Sequence, residues 1–111
     1  MQAVVHNLLE ISHSADALLL DTNLNDAQHG FVQAMYADAK RMLDMVVSFP
    51  DVNSPRALEV FSYESRSHLS SIIGYAELLL DGDEGSLDDF QVACVMRINA
   101  AGAQIMRFLP G

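Results

Sequence analysis

Tryptophan is absent from this chain, there is one cysteine, and only 6 basic side chains stand against 15 acidic ones. Each scarcity excludes something. A lone Cys94 cannot form an internal disulfide, and because it falls on the apolar stripe of its helix it reads as a buried neutral thiol, not a reactive one. A formal net charge of −9 opposes approach to phosphate backbones and anionic membrane surfaces, so nucleic acid is not an expected partner. Long apolar runs are missing too: stretches such as Leu18 to Leu20 fall far short of the roughly 20 residues that a bilayer span requires. No basic region precedes an apolar stretch at the N-terminus, and the expected location is cytoplasmic, with no membrane association.

What is present is helical periodicity. Half of the 111 residues are apolar, which suits one packed core in one domain. Val4, Leu8, Ile11, Ala15 and Leu18 recur at three- and four-residue steps and predict a first helix over 3–20. Asn23, with Asp26 three residues on, resembles a helix-opening cap, so a second helix is expected from about Leu24. Its stripe runs through Phe31, Met35, Ala39, Met42 and Val46 until Phe49-Pro50. Residues 50–54 read as the linker, and Ser54-Pro55 is a strong start signal, a capping hydroxyl followed by proline at the first helical position. Leu58, Phe61, Leu69, Ile72, Ala76 and Leu79 then form the inner face of a third helix reaching Leu80. After a turn at 81–85, Ser86 with Asp89 repeats the capping pattern, and Leu87, Cys94, Ile98, Ala101, Ile105 and Phe108 mark a fourth helix.

The second half of the chain echoes the first. Leu18-Leu19-Leu20-Asp21 matches Leu78-Leu79-Leu80-Asp81, and Leu9 matches Leu69, at an offset of 60. Beyond the turn, which is three residues longer in the second copy, Leu24, Asp26, Gln28 and Val32 match Leu87, Asp89, Gln91 and Val95. Met35, Met42 and Met45 fall opposite Ile98, Ile105 and Phe108. A lone amphipathic hairpin leaves its seam exposed, and two hairpins facing each other close it. The expected fold is an all-α, antiparallel up-down four-helix bundle from two tandem helical hairpins, over 3–49 and 55–109, in one domain spanning 1–111. It serves as a monomeric pseudo-dimer, or as a homodimer if the seams join between chains.

The run Phe61-Ser62-Tyr63-Glu64-Ser65-Arg66-Ser67-His68-Leu69-Ser70-Ser71-Ile72-Ile73-Gly74-Tyr75-Ala76-Glu77-Leu78-Leu79-Leu80-Asp81 resembles the first helix of the dimerisation and phosphoacceptor (HisKA-like) domain of sensor histidine kinases. In that family an H-box, Ser-His-Glu-Leu-Arg-Thr-Pro-Leu, leads into a segment much like Ser-Ile-Ile-Gly-Tyr-Ala-Glu-Leu-Leu, and a second helix follows a short turn. Residues 86–109 resemble that second helix, and 23–46 do so more loosely. The phosphoacceptor position carries Tyr63, followed by the family's Glu64 and Arg66, and His68 stands at the family's proline. In the first copy the equivalent position is near Ala3. No Asp-x-Gly-x-Gly or other nucleotide-cradling motif occurs in the 111 residues.

The resemblance implies a two-component signalling module stripped of its chemistry, not an enzyme, whose partner is a response regulator receiver domain or a histidine kinase. Its candidate docking face comprises Tyr63, Glu64, Arg66, Ser67, Ser70 and Glu77, with Tyr63 opposite the apolar stripe of its helix. An ordinary solvated helix face explains the same spacing. Phosphotransfer through a histidine is the alternative, with His13 exposed mid-helix and His68 at the border of an apolar face as candidates, and a structural oligomerisation domain is a third reading. His6, Glu10 and His13 share one stretch of helix one, but their spacing supplies too few ligands and no second shell, so neither a metal nor a cofactor is expected. His29 is isolated, and the acidic residues around 81–89 read as capping charge.

Overall fold

In a computed structural model, residues 1–20 and 23–110 are described. They form α1 (Gln2–Leu19), α2 (Asp26–Val47), α3 (Pro55–Asp81) and α4 (Asp89–Phe108). No strand occurs among the described residues. Each helix packs side by side on two neighbours, α1 on α2 and α4, α3 on α2 and α4, so the helices close a ring around one core. At about 1.5 Å per residue α3 is about 40 Å long, which accounts for the 42 Å long axis of the molecule. This is the expected antiparallel four-helix bundle built from two tandem hairpins.

The stripes predicted from periodicity meet in the core. Leu8, Ile11, Leu18, Met35, Met42, Phe61, Leu69, Ile72, Ile98 and Ile105 are all fully buried. Cys94 is buried among them. Five expected core residues are not fully buried: Phe31, Met45, Leu58, Leu87 and Phe108. Phe31 is half-buried at the α2–α3 seam, where its ring lies 5.0 Å from that of Tyr75, and Val32 takes the inward position. Phe108 is exposed because its phase turns it toward α1; Leu109, in extended backbone just past the helix, buries itself instead. Met45, the counterpart of Phe108, is only half-buried.

Both interhelical caps lie two residues later than the sequence pattern suggested. Asn25, not Asn23, caps α2, with its side chain accepting from Gln28 N and the Gln28 side chain accepting from Asn25 N. Asp88, not Ser86, caps α4 through the same reciprocal box with Gln91. A glutamine at the third helical position returns a hydrogen bond to the cap's own N–H, which the short Asp26 and Asp89 side chains do not do here. Leu24 and Leu87 therefore precede their helices and pack half-buried against the core. Ser54 caps α3 as expected, its hydroxyl accepting from Ala57 N, with Pro55 following. The link between hairpins covers 48–54, and the part of the leucine repeat at Asp21 lies outside the described residues.

Two latches lie at opposite ends of the bundle, the first joining the hairpins to each other and the second tying α3 to the segment past α4 within the second hairpin. At one end, Asn25 Nδ2 donates to the Glu84 carbonyl, and Gln28 Nε2 donates to the Gly85 carbonyl at 3.1 Å. Gly85 there has φ 118°, a left-handed conformation in which a Cβ would stand 2.8 Å from Asn25 Nδ2. At the other end, Ser62 Oγ and Arg66 Nη2 donate to the Pro110 carbonyl at 3.1 and 2.8 Å.

Candidate functional site

The outer line of α3 is built by helical geometry. Tyr63, Ser67, Ser70 and Glu77 recur at three-, four- and seven-residue steps opposite Leu69, Ile72 and Ala76, so burial of one face drives the other into solvent. Tyr63 is 85% exposed, and Glu64, Ser67, Ser70 and Glu77 are exposed as well. Glu64 lies one turn before His68, toward α2. Arg66 differs: it is half-buried and turned toward α4, where it holds the Pro110 carbonyl. Five of the six expected docking residues thus share an open surface, and the sixth is committed to a latch. A shallow depression beside Tyr63 is lined by Arg56, Glu59, Val60 and Glu64, and a second beside Ser70 and Glu77 is lined by Gly74, Tyr75 and Asp81.

On the α2 side of the same helix lies an arrangement that sequence reading saw only in part. His68 Nδ1 stands 2.8 Å from Asp38 Oδ1 across the α2–α3 seam, with side-chain exposures of 23% and 11%. An ionised carboxylate only accepts, so Nδ1 carries the hydrogen and donates it. In the neutral imidazole Nε2 is then left with its lone pair, the tautomer fixed by the carboxylate. Asp38 was not singled out from sequence, although a signal existed. It lies three residues after Met35 and four before Met42, a carboxylate beside an apolar stripe where solvation alone would not place it.

The remaining histidines are not gathered. His13 is exposed on α1, and His29 is half-buried at the start of α2. His6 and Glu10 line a groove between α1 and α4 together with Arg97, Gln104 and Phe108, and His13 is outside it. Among the described residues no group of three His, Cys, Asp or Glu side chains is placed to hold a metal ion. No helix among them is long and apolar enough to cross a membrane.

No protein-family model, curated protein or solved structure matches this chain. Its chemistry has therefore to be read from its own side chains. Those offer an exposed phenol flanked by hydroxyls and carboxylates on α3, and a carboxylate-oriented imidazole one helical turn away.

Proposed function

We propose that this chain is a protein-interaction module of two-component type, a degenerate relative of the histidine kinase dimerisation domain that binds a receiver domain or a kinase without catalysing transfer itself. The observation that carries the reading is the 85% exposure of Tyr63 at the position where the resembled H-box places its phosphoacceptor. A phenol oxygen does not substitute for an imidazole nitrogen in that chemistry, so the surface keeps a docking shape and lacks the acceptor. Ser67 and Ser70 on the same line leave room for a partner helix to approach, and Glu64 and Glu77 give it polar contacts. The mechanism is occlusion: a receiver domain held here is withheld from a competent kinase. Titration of purified receiver domains from the same cell into the protein tests it by calorimetry. Binding abolished by Ser67→Arg supports the reading, whereas no binding by any receiver or kinase core sinks it.

A second reading rests on the Asp38–His68 geometry. With Nδ1 bonded to Asp38, Nε2 of His68 is free to attack phosphorus in a receiver's aspartyl phosphate; the N–P bond forms as the acyl O–P bond breaks and the receiver's carboxylate is regenerated. The two readings separate on incubation with a phosphorylated receiver. Acid-labile phosphate that disappears in His68→Gln and survives in His13→Gln belongs to the relay; its absence leaves the docking reading standing alone.

A further inference from the structure

The outer face of α4 is unlike the rest of the surface. Of the nine large hydrophobic side chains exposed among the described residues, four lie on this one helix, Met96 on its outer face, Phe90 and Phe108 on the flank toward α1, and Met106 on the opposite flank. It is also the one helix of the four with more basic than acidic side chains, in a chain of net charge −9. Such a concentration marks an interaction surface, because isolated exposed apolar residues would be scattered.

The order of residues along that face says what covers it. Asp89, Ala93, Met96, Ala100, Ala103 and Arg107 are all exposed and follow one another at steps of four, three, four, three and four, the spacing of a coiled-coil seam. The stripe is also symmetric about the level of Ile98. Laid antiparallel on a second copy of itself, Asp89 faces Arg107, Ala93 faces Ala103 and Met96 faces Ala100. Opposite charges close both ends, and small or flexible apolar groups fill the middle. Each end charge also suits its own helix, Asp89 in the first turn and Arg107 in the last.

A groove beside the stripe completes the fit. Phe90 is 54% exposed on the flank of α4 that faces α1, and in the antiparallel pairing it falls at the level of the other copy's Gln104 and Phe108. Those two residues line the α1–α4 groove. The two Arg97 side chains meet near the axis, and Glu10, which lines the same groove, offers each a carboxylate.

We infer that two copies of this chain associate through their α4 outer faces, antiparallel about the level of Ile98, as an isologous dimer of four-helix bundles. Asp89 and Arg107 lie about 27 Å apart along the helix, and such a helix pair with its flanks buries on the order of 1,000 Å², the low end for specific interfaces, so a micromolar dimer is expected. This dimer differs from one joined through the hairpin seams, which would leave α4's outer charges irrelevant.

The test is sedimentation equilibrium of the purified chain and three charge variants, with helix content checked by circular dichroism. Asp89→Arg places two arginines at each end of the pairing, and Arg107→Asp places two aspartates there. Each single variant is expected to weaken dimerisation by about tenfold or more, while the double swap restores it to within about threefold. A chain that stays monomeric up to about 500 µM overturns the inference, and so does a dimer that neither single variant weakens or that the double swap fails to rescue. Should Asp89→Arg lose helix content, Ala100→Glu beside the two-fold axis carries the test: unchanged dimerisation in that variant also overturns it.

Discussion

Asp38 and His68 form a hydrogen-bonded pair across the α2–α3 seam at the place where the other half of the chain has only apolar side chains. By the offsets of the internal repeat, His68 corresponds to Leu8 and Asp38 to Ala101, and both of those are buried in the core. One seam carries a polar pair, its counterpart hydrocarbon. The four-helix architecture therefore does not require a polar pair at this level of a seam.

Stability measurements should show this directly. Asp38→Ala leaves the half-buried imidazole N–H without its acceptor and is expected to cost about 1–3 kcal/mol. Adding His68→Leu copies the Leu8–Ala101 arrangement and is expected to recover most of that loss, since replacing both partners by apolar groups of fitting shape is close to neutral. Urea denaturation of the two single variants and the double variant reads the coupling. Additive losses would show that the seam does not accept the apolar pair.

The turn between α3 and α4 offers a second comparison. Gly82 ends α3 with φ 77°, and a Cβ there would meet nothing closer than the Gly85 carbonyl at 3.9 Å. Gly82→Ala is expected to cost about 1 kcal/mol from its left-handed backbone alone. Gly85→Ala adds a collision with Asn25 Nδ2, which is held in place by the Glu84 carbonyl, and is expected to cost about 2–3 kcal/mol. Thermal melts resolve the difference, at about 4 °C or more per kcal/mol for a domain of this size.

Tyr63 should separate folding from binding. With its side chain in solvent, Tyr63→Ala is expected to change stability by no more than about 0.5 kcal/mol. Receiver binding, measured on the same preparation by calorimetry, should fall about tenfold or more if the α3 line is the docking face. A stability loss above about 2 kcal/mol would instead show that Tyr63 packs in solution.

Much of the fold was legible because burial imposes a period. Val4 to Leu18 on α1 and Met35 to Val46 on α2 are core residues at the steps that sequence spacing demanded, and Ser54-Pro55 opens α3 where the capping rule put it. Caps were harder. Asn23 with Asp26 and Ser86 with Asp89 have the right residue types, but Asn25 with Gln28 and Asp88 with Gln91 have them too, and only the backbone phase selects between frames two residues apart. His68 was legible as a border residue because Leu69 and Ile72 fix the phase around it. The pairing was not, because although Asp38 stands beside the Met35–Met42 stripe, two residues 30 apart on different helices leave no spacing that ties one to the other. Arg66 shows the converse: its helical position suited the docking line, and a carbonyl at the far end of the chain draws it away.

The latch at Asn25 and Gln28 also bears on the time the molecule stays folded. Each hairpin closes through contacts between consecutive helices, a short search for a polymer chain, whereas Gln28 and Gly85 are 57 residues apart and meet only after the hairpins have docked. Bonds that form after the crest of the barrier do little to hasten its crossing and act mainly on the return journey. The latch thus works as a ratchet tooth: cutting it would leave the rate of assembly nearly unchanged and shorten the lifetime of the assembled state.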